Sequence, residues 1–189
     1  MAVSLFEKLN KVWFGVVLDD ERRVVSCGFS LKDKEDISRQ VLKAAPESLN
    51  NSYSENDGFA SFVLRSLSLI YQGKDAEVVP TLALENLPPF VRKALVVTTT
   101  IPRGYVSTYG AVAAAAGSPR AARAVGSAEA RNPFAPIVPC HRVVASTLGL
   151  GGYGGGLTLK RAFLAREGVL FEGKKVSRRC LWIPRKDSS

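Results

Sequence analysis

The sequence predicts an α/β domain over residues 1–86, a mainly α-helical domain with a helix-turn-helix over 87–172, and a basic tail at 173–189. Three observations predict this. The first half opens with β-rich runs and continues with stretches of helical spacing. The second half carries proline and glycine in the order that starts and stops short helices. The charge also changes sign between them. Of 26 Lys and Arg, 10 fall in residues 1–86 beside 13 of the 17 Asp and Glu, which leaves 16 basic and 4 acidic groups in the remainder.

In the first half, residues 12–18 and 24–29 flank the turn DDERR and read as an antiparallel hairpin. Residues 33–45 place Ile37, Val41 and Leu42 at helical spacing, and Pro46 stops them. SLNNSYSEND is a polar connector. Residues 59–71 place Phe59, Phe62, Val63, Leu67 and Ile70 on one helical stripe, ended by Gly73. No cluster in this half can perform chemistry.

The second half begins at Pro88-Pro89, a boundary or a helix start, and residues 90–99 read as a helix. IPRG breaks it, and Ser107 or Thr108 caps the next, through about residue 116. Gly117-Ser118-Pro119 supplies a C′ glycine, an N-cap and an N1 proline in succession. A further helix then runs from 120 to about 130 and stops before Asn132-Pro133. Two short helices joined by a glycine turn, the second bearing Arg120, Arg123 and Arg131, form a helix-turn-helix candidate. Ala121, Ala122, Ala124, Gly126, Ser127, Ala128 and Ala130 leave that helix a thin surface. It suits close approach to a packed neighbour or to a groove wall, and the pattern leaves both open.

The charge asymmetry points to a polyanion, with nucleic acid the first candidate. Solubility or the tail is the alternative, but without the four charges of KKVSRR the second half still stands at +8. No run of about 18 apolar residues and no secretory leader pattern is present, so the expectation is a cytoplasmic protein with no membrane partner. Three cysteines (Cys27, Cys140, Cys180) and one histidine (His141) make neither a disulfide framework nor a metal-ligand pattern, and no metal or cofactor is expected. Cys27 and Cys180 read as a pair or as two small buried side chains.

Chemistry concentrates in NPFAPIVPCHRVV, residues 132–144. Pro133, Pro136 and Pro139 are read as holding the backbone extended and stiff up to Cys140, with the apolar strand Val143-Val144 after it. A thiol attacks only as thiolate, and His141 is the sole imidazole able to assist. Neighbours on a strand point to opposite faces, so the pair needs a turn at Cys140. A buried structural cysteine beside a packed histidine is the alternative. GLGGYGGG, residues 149–156, surrounds Tyr153 with glycine and suits a pocket wall for a flat ligand or a flexible loop. It lacks the Gly-Lys-Ser/Thr ending of a phosphate loop. Thr158 is read as the cap of a last helix, 159–167, with Gly168 at C′. Glu167 then stands at a helix C-terminus, unfavourable for an anion unless something holds it.

PCHRVV (139–144), preceded by AARAVG (121–126) and Asn132-Pro133 and followed by the Gly-Tyr-Gly loop and Glu167-Gly168, resembles the O6-alkylguanine-DNA alkyltransferases in order and spacing over 88–170. The resemblance implies an RNase-H-like first domain before a helical active-site domain. It also implies suicidal transfer of an alkyl group from O6-alkylguanine in double-stranded DNA to Cys140 by a monomer; O4-alkylthymine as a further substrate is left open. In its terms His141 is the base acting through an ordered water, Glu167 orients it, Asn132 braces the junction, and Tyr109 serves the leaving base. Arg123 fills the space left by the flipped nucleotide in the minor groove, beside Ala122, Ser118 and Arg131. Pro139, Val143, Tyr153, Gly154 and Gly155 form the pocket, with the Cys140 and Val143 carbonyls reading the guanine amino group.

Two positions depart from the pattern. Gly154 stands where relatives often carry serine, so only its backbone amide remains for O6. Glu129 puts an anion on the recognition helix, facing the DNA or turned to the protein. Three other functions fit the sequence less well. A non-reacting damage sensor lacks the cysteine. A Cys-His hydrolase needs an oxyanion hole and a turnover route, and the sequence offers neither a histidine separate from the PCHRVV segment nor a nucleophile elbow. A helix-turn-helix regulator predicts sequence-specific major-groove binding, whereas repair predicts salt-sensitive, sequence-tolerant binding.

Overall fold

The computed structural model describes residues 2–46, 57–76 and 80–184. The polar connector (except Asp57) and the end of the basic tail (185–189) lie outside the described residues. The chain divides into two compact units, Met1–Asn86 with Pro133–Ile137, and Leu87–Asn132 with Val138–Ser189.

The first unit is an antiparallel sheet in the order β1 (Val3–Leu9), β2 (Val12–Leu18) and β3 (Val24–Ser30). The predicted hairpin is β2–β3, in register from Trp13 opposite Ser30 to Val17 opposite Ser26. Its turn is held by the Asp19 carboxylate, which accepts from the backbone N–H of Glu21 and Arg23 and from the Arg23 guanidinium. β1 was not expected from the sequence. It joins β2 through a two-residue turn in which Asn10 and Lys11 both take positive φ, a turn without the glycine that usually announces it.

Helices cover both faces of this sheet. Asp33 caps α1 (Lys34–Ala44) by accepting from Asp36 N–H at 2.7 Å, and Ile37 and Val41 pack with Phe6, Val17 and Val25. Gly15 and Gly28 leave room for that helix, since a Cβ on Gly15 would sit 2.7 Å from the Phe6 ring. Asp57 caps α2 (Gly58–Tyr71), whose Tyr71 ring rests on Phe14 and Phe29. The free edge of β3 is covered by short parallel bridges, Leu82 at Val24 and Phe134 at Cys27.

The second unit is mainly helical. α3 (Pro89–Thr99) begins on Pro89 at N1, and Thr108 caps α4 (Tyr109–Ala115) by accepting from Ala111 N–H. Gly117 at φ +82° ends α4, its N–H donating to Ala114 O and that of Ser118 to Ala113 O. α5 (Ala122–Ala130) starts two residues later than the sequence suggests. Ser118 accepts from Ala121 N–H through its backbone carbonyl, and no side chain caps the helix, so 118–121 is a turn. β4 (Ser107–Thr108) pairs in parallel with β5 (Val143–Val144), and α6 (Leu157–Arg166) follows the glycine loop. Thr158 lies inside α6, because Gly156 at φ +86° already makes the turn into it. A hairpin of β6 (Phe171–Glu172) and β7 (Lys175–Val176) spans the boundary of the predicted tail, and Ser177 caps a 3-10 turn at Arg178–Cys180. Two apolar clusters hold the unit: Ala94, Ile101, Val112, Val125 and Ala128 with Val143, and Val106, Val144, Leu164 and Val176 with Cys180. No helix among the described residues is long and apolar enough to cross a membrane.

Candidate active site

The approach to Cys140 differs from the extended run the prolines suggest. Residues 133–137 form turns around the Phe134 bridge, and Cys140–Arg142 is a 3-10 turn with Cys140 N–H donating to Val138 O. A turn is what the Cys-His pair requires, because a strand would send the two side chains to opposite faces. Asn132, at the end of α5, donates from Nδ2 to Val138 O at 2.9 Å and also hydrogen-bonds the Cys140 sulfur. Helix end and cysteine turn are thereby tied together.

Cys140 is 7% exposed. Burial pushes its thiol up to about 11, the nearby Glu129 carboxyl adds to this, and the Asn132 hydrogen bond and the Lys160 charge oppose it. His141 is fully buried, stacked on Phe163 with ring centroids 4.7 Å apart. Its Nε2–H donates to Glu167 Oε1 at 2.9 Å, and its Nδ1 is buried with no hydrogen-bond partner among the described residues. Burial holds the imidazole below its ordinary range despite the carboxylate.

Glu167 is the C-cap of α6, as its place in the sequence suggests, and what holds it there is Arg142 as well as His141. The guanidinium donates from Nε to Oε2 at 2.9 Å and from NH2 to Oε1 at 2.8 Å, and anchors itself by donating from NH1 to Ile101 O at 2.7 Å. Burial raises the Glu167 carboxyl, but the His141 and Arg142 hydrogen bonds outweigh it and bring it down to about 2. The result is an ionised carboxylate behind a neutral imidazole whose Nδ1 is free to accept.

The sequence reading missed Lys160 and Arg142. Lys160 is fully buried on α6, and its ammonium donates to Val143 O at 2.6 Å and to Gly152 O at 3.0 Å. Burial lowers it to about 8, and Cys140 and Glu129 work against that shift. It stands seven residues before Glu167, two helical turns away, and that spacing was the available signal. The Val143 carbonyl, expected to face a ligand, is thus already engaged by one cation.

Tyr109 donates from its hydroxyl to Gly152 O at 3.3 Å, so α4 and the glycine loop meet at one carbonyl. Gly151 makes this approach possible. It sits at φ +70°, and a Cβ there would fall 2.9 Å from the Tyr109 ring. Tyr153 is half-buried, edge-on to Phe163, while Gly154 and Gly155 are exposed and Pro139 is buried. On α5, Val125, Ala128 and Glu129 face inward, Arg123, Ala124 and Ser127 face solvent and Ala122 is half-buried, while Arg131 at its C-cap is exposed and Ser118 in the preceding turn is half-buried. The thin helix therefore packs on one side and presents a low, basic surface on the other. All three cysteines are free.

Together these features define a class of protein: an α/β unit and a helical unit that seats a buried thiol beside an imidazole–carboxylate–guanidinium chain. Residues 89–169 match the model of the 6-O-methylguanine DNA methyltransferase DNA-binding domain. The methylated-DNA–protein-cysteine methyltransferase of Mycobacterium bovis is 37% identical over 128 residues, spanning 68% of this chain and 77% of that one. The protein of the same name from Methanothermobacter thermautotrophicus is 49% identical over 86 residues, 45% of this chain and 47% of that one. Among solved structures, Mycobacterium tuberculosis OGT in complex with DNA matches at a TM-score of 0.68 and 28% identity over 88% of this chain and 92% of that one. The O6-methylguanine-DNA methyltransferase of Pyrococcus kodakaraensis matches at 0.67 and 29% over 89% and 100%. The chain belongs to the methylated-DNA–protein-cysteine methyltransferase family.

Proposed function

We propose that this chain repairs double-stranded DNA by moving an alkyl group from O6 of guanine to Cys140, once per molecule, as a cytoplasmic monomer. The observation that carries this reading is the buried Cys140 beside His141, whose Nε2–H is committed to Glu167 and whose Nδ1 is left as an acceptor. Cys140 Sγ attacks the alkyl carbon, the S–C bond forms, and the C–O6 bond electrons leave with the purine. The thiol proton passes through a bridging water to His141 Nδ1, where the Glu167 carboxylate, held in place by Arg142, stabilises the imidazolium that forms. Tyr109 passes its proton to the departing base, which leaves as guanine, and the phenolate regains a proton from the His141 imidazolium through solvent, so that the thiol proton is balanced by the one gained by the purine. Nothing in the site cleaves a thioether, so the transfer is stoichiometric.

A thiol held near 11 is protonated at rest. Deprotonation then belongs to the assembled complex, where substrate orients the water and excludes bulk solvent. This protects a single-use nucleophile from stray electrophiles. The domain over 87–172 supplies both site and DNA contacts, with α4 and α5 as a helix-turn-helix laid in the minor groove and Arg123 entering the stack where the base has left. The first domain, a three-stranded antiparallel sheet between two helices, is read as RNase-H-like.

The test is the mass of the intact protein after incubation with a duplex carrying one O6-methylguanine. One methylene added per molecule, on the Cys140 peptide and absent from Cys140→Ala, is the expected result. Lesion binding without a mass change would make the protein a sensor and overturn transfer.

A further inference from the structure

Glu129 takes no part in the reaction above, yet it lies among the groups that carry it out. It sits on the inner face of α5 and is 8% exposed. Its Oε1 is 2.7 Å from Thr98 Oγ1, and its Oε2 is buried without a hydrogen-bond partner. Thr98 Oγ1 also lies 2.9 Å from Ala94 O, a carbonyl that can only accept. A threonine hydroxyl has one proton to give. If Glu129 were ionised, Thr98 would face two acceptors with that single proton. If Glu129 carries a proton, both contacts are satisfied at once: Glu129 donates to Thr98, and Thr98 donates to Ala94 O.

The groups facing Glu129 come from four elements. α3 presents the Thr98 hydroxyl, α4 the Tyr109 phenol, the 3-10 turn the Cys140 thiol and α6 the Lys160 ammonium. Charge on Glu129 is felt by the last three. A carboxylate there makes Tyr109 and Cys140 hold their protons more tightly and supports the Lys160 cation, whereas a neutral acid leaves the Lys160 charge, which favours the thiolate, without that opposition.

We infer that Glu129 is a positioning residue stored as a neutral carboxylic acid, whose charge state sets how readily Cys140 yields its proton. The inference deepens the repair reading and rests on it for its purpose. Burial, opposed by Thr98 and Lys160, raises the carboxyl to about 7, so the change falls within the working range of a cell.

The experiment is alkylation of the full chain by iodoacetamide, without DNA, as a function of pH, with the label quantified on the Cys140 peptide. Glu129→Gln keeps the shape and donates to Thr98 as the neutral acid does. Its rate is expected to climb about tenfold per pH unit through the range where Glu129 titrates, as thiolate fraction does below a thiol's pKa, and to flatten only where Lys160 loses its charge near 8. The unaltered protein is expected to climb less steeply through about pH 7 and to fall severalfold behind the variant above it. Thr98→Val, which removes the hydroxyl in contact with the carboxyl, should move that break. Superimposable profiles for the unaltered protein and Glu129→Gln would overturn the inference, and should that variant not fold, an unmoved break in Thr98→Val would do so. A duplex that fails to methylate Cys140 would instead sink the repair reading and leave these profiles standing.

Discussion

His141 and Glu167 meet with 2.9 Å between Nε2 and Oε1 at a point where their side chains are 0% and 1% exposed. So deep a carboxylate is tolerated because Arg142 reaches it with two further hydrogen bonds. The arrangement ties stability to pH. In the unfolded chain Glu167 titrates near 4.5, and in the folded one near 2. Its contribution is therefore complete above 4.5 and is lost as pH falls toward 2. Glu167→Gln should melt well below the unaltered protein at neutral pH, since it strands a half-buried guanidinium, and the gap should close as pH falls through that window. Thermal melts by circular dichroism across pH check this; a gap independent of pH would show that Glu167 is not held ionised.

Gly151 is the position where the Tyr109 contact depends on having no side chain. Gly151→Ala should cost about 1–2 kcal/mol for its left-handed backbone alone. The new methyl also displaces the Tyr109 ring, so transfer from an O6-methylguanine duplex should slow more than the stability loss accounts for. Single-turnover rates measured well below the melting temperature separate the two effects.

Much of this was legible in the sequence because short-range chemistry decided it. Thr108 caps the helix its position suggests, and Gly117 ends α4 as a C′ glycine should. What the sequence obscured was decided by tertiary contact. Ser118 resembles an N-cap but spends its backbone on a turn, and the proline run folds into turns around the bridge at Phe134. Lys160 resembles any solvated helix lysine until the loop carbonyl of Gly152 and the strand carbonyl of Val143 arrive from elsewhere in the chain. Glu129 left two orientations open in sequence; the packing of Val125 and Ala128 turns it inward.

Gly154 is exposed, and a Cβ built on it meets nothing within 4 Å. The wall proposed for the alkyl group is open at that point, so O6-benzylguanine should react with Cys140 as well as O6-methylguanine in DNA does. Repair of the methyl lesion together with inertness toward the benzyl base would show that the wall closes on bulky groups.

Arg123 is exposed on α5 and takes no part in the unit's core. Arg123→Ala should leave the fold and the reaction with free O6-benzylguanine unchanged while transfer from an O6-methylguanine duplex drops by about tenfold or more. If the side chain enters the stack rather than pairing with a phosphate, the salt dependence of duplex binding should change by less than about one unit of slope. Equal losses on the free base and the duplex would place Arg123 in the chemistry instead.

Glu129 gives a pH effect of the opposite sign to Glu167. Its carboxyl titrates near 4.5 unfolded and near 7 folded, so the folded protein holds an extra proton between those values and loses stability as pH rises through them. Glu129→Gln has nothing to deprotonate. The two proteins should melt together below pH 4.5, diverge from there to about 7, and above it the variant should be the more stable, by on the order of 1.4 kcal/mol for each unit that the carboxyl is raised. Melting curves across this range decide it. A variant less stable than the unaltered protein at pH 8 would mean that the carboxylate is favourably paired, against the single proton that Thr98 has to share.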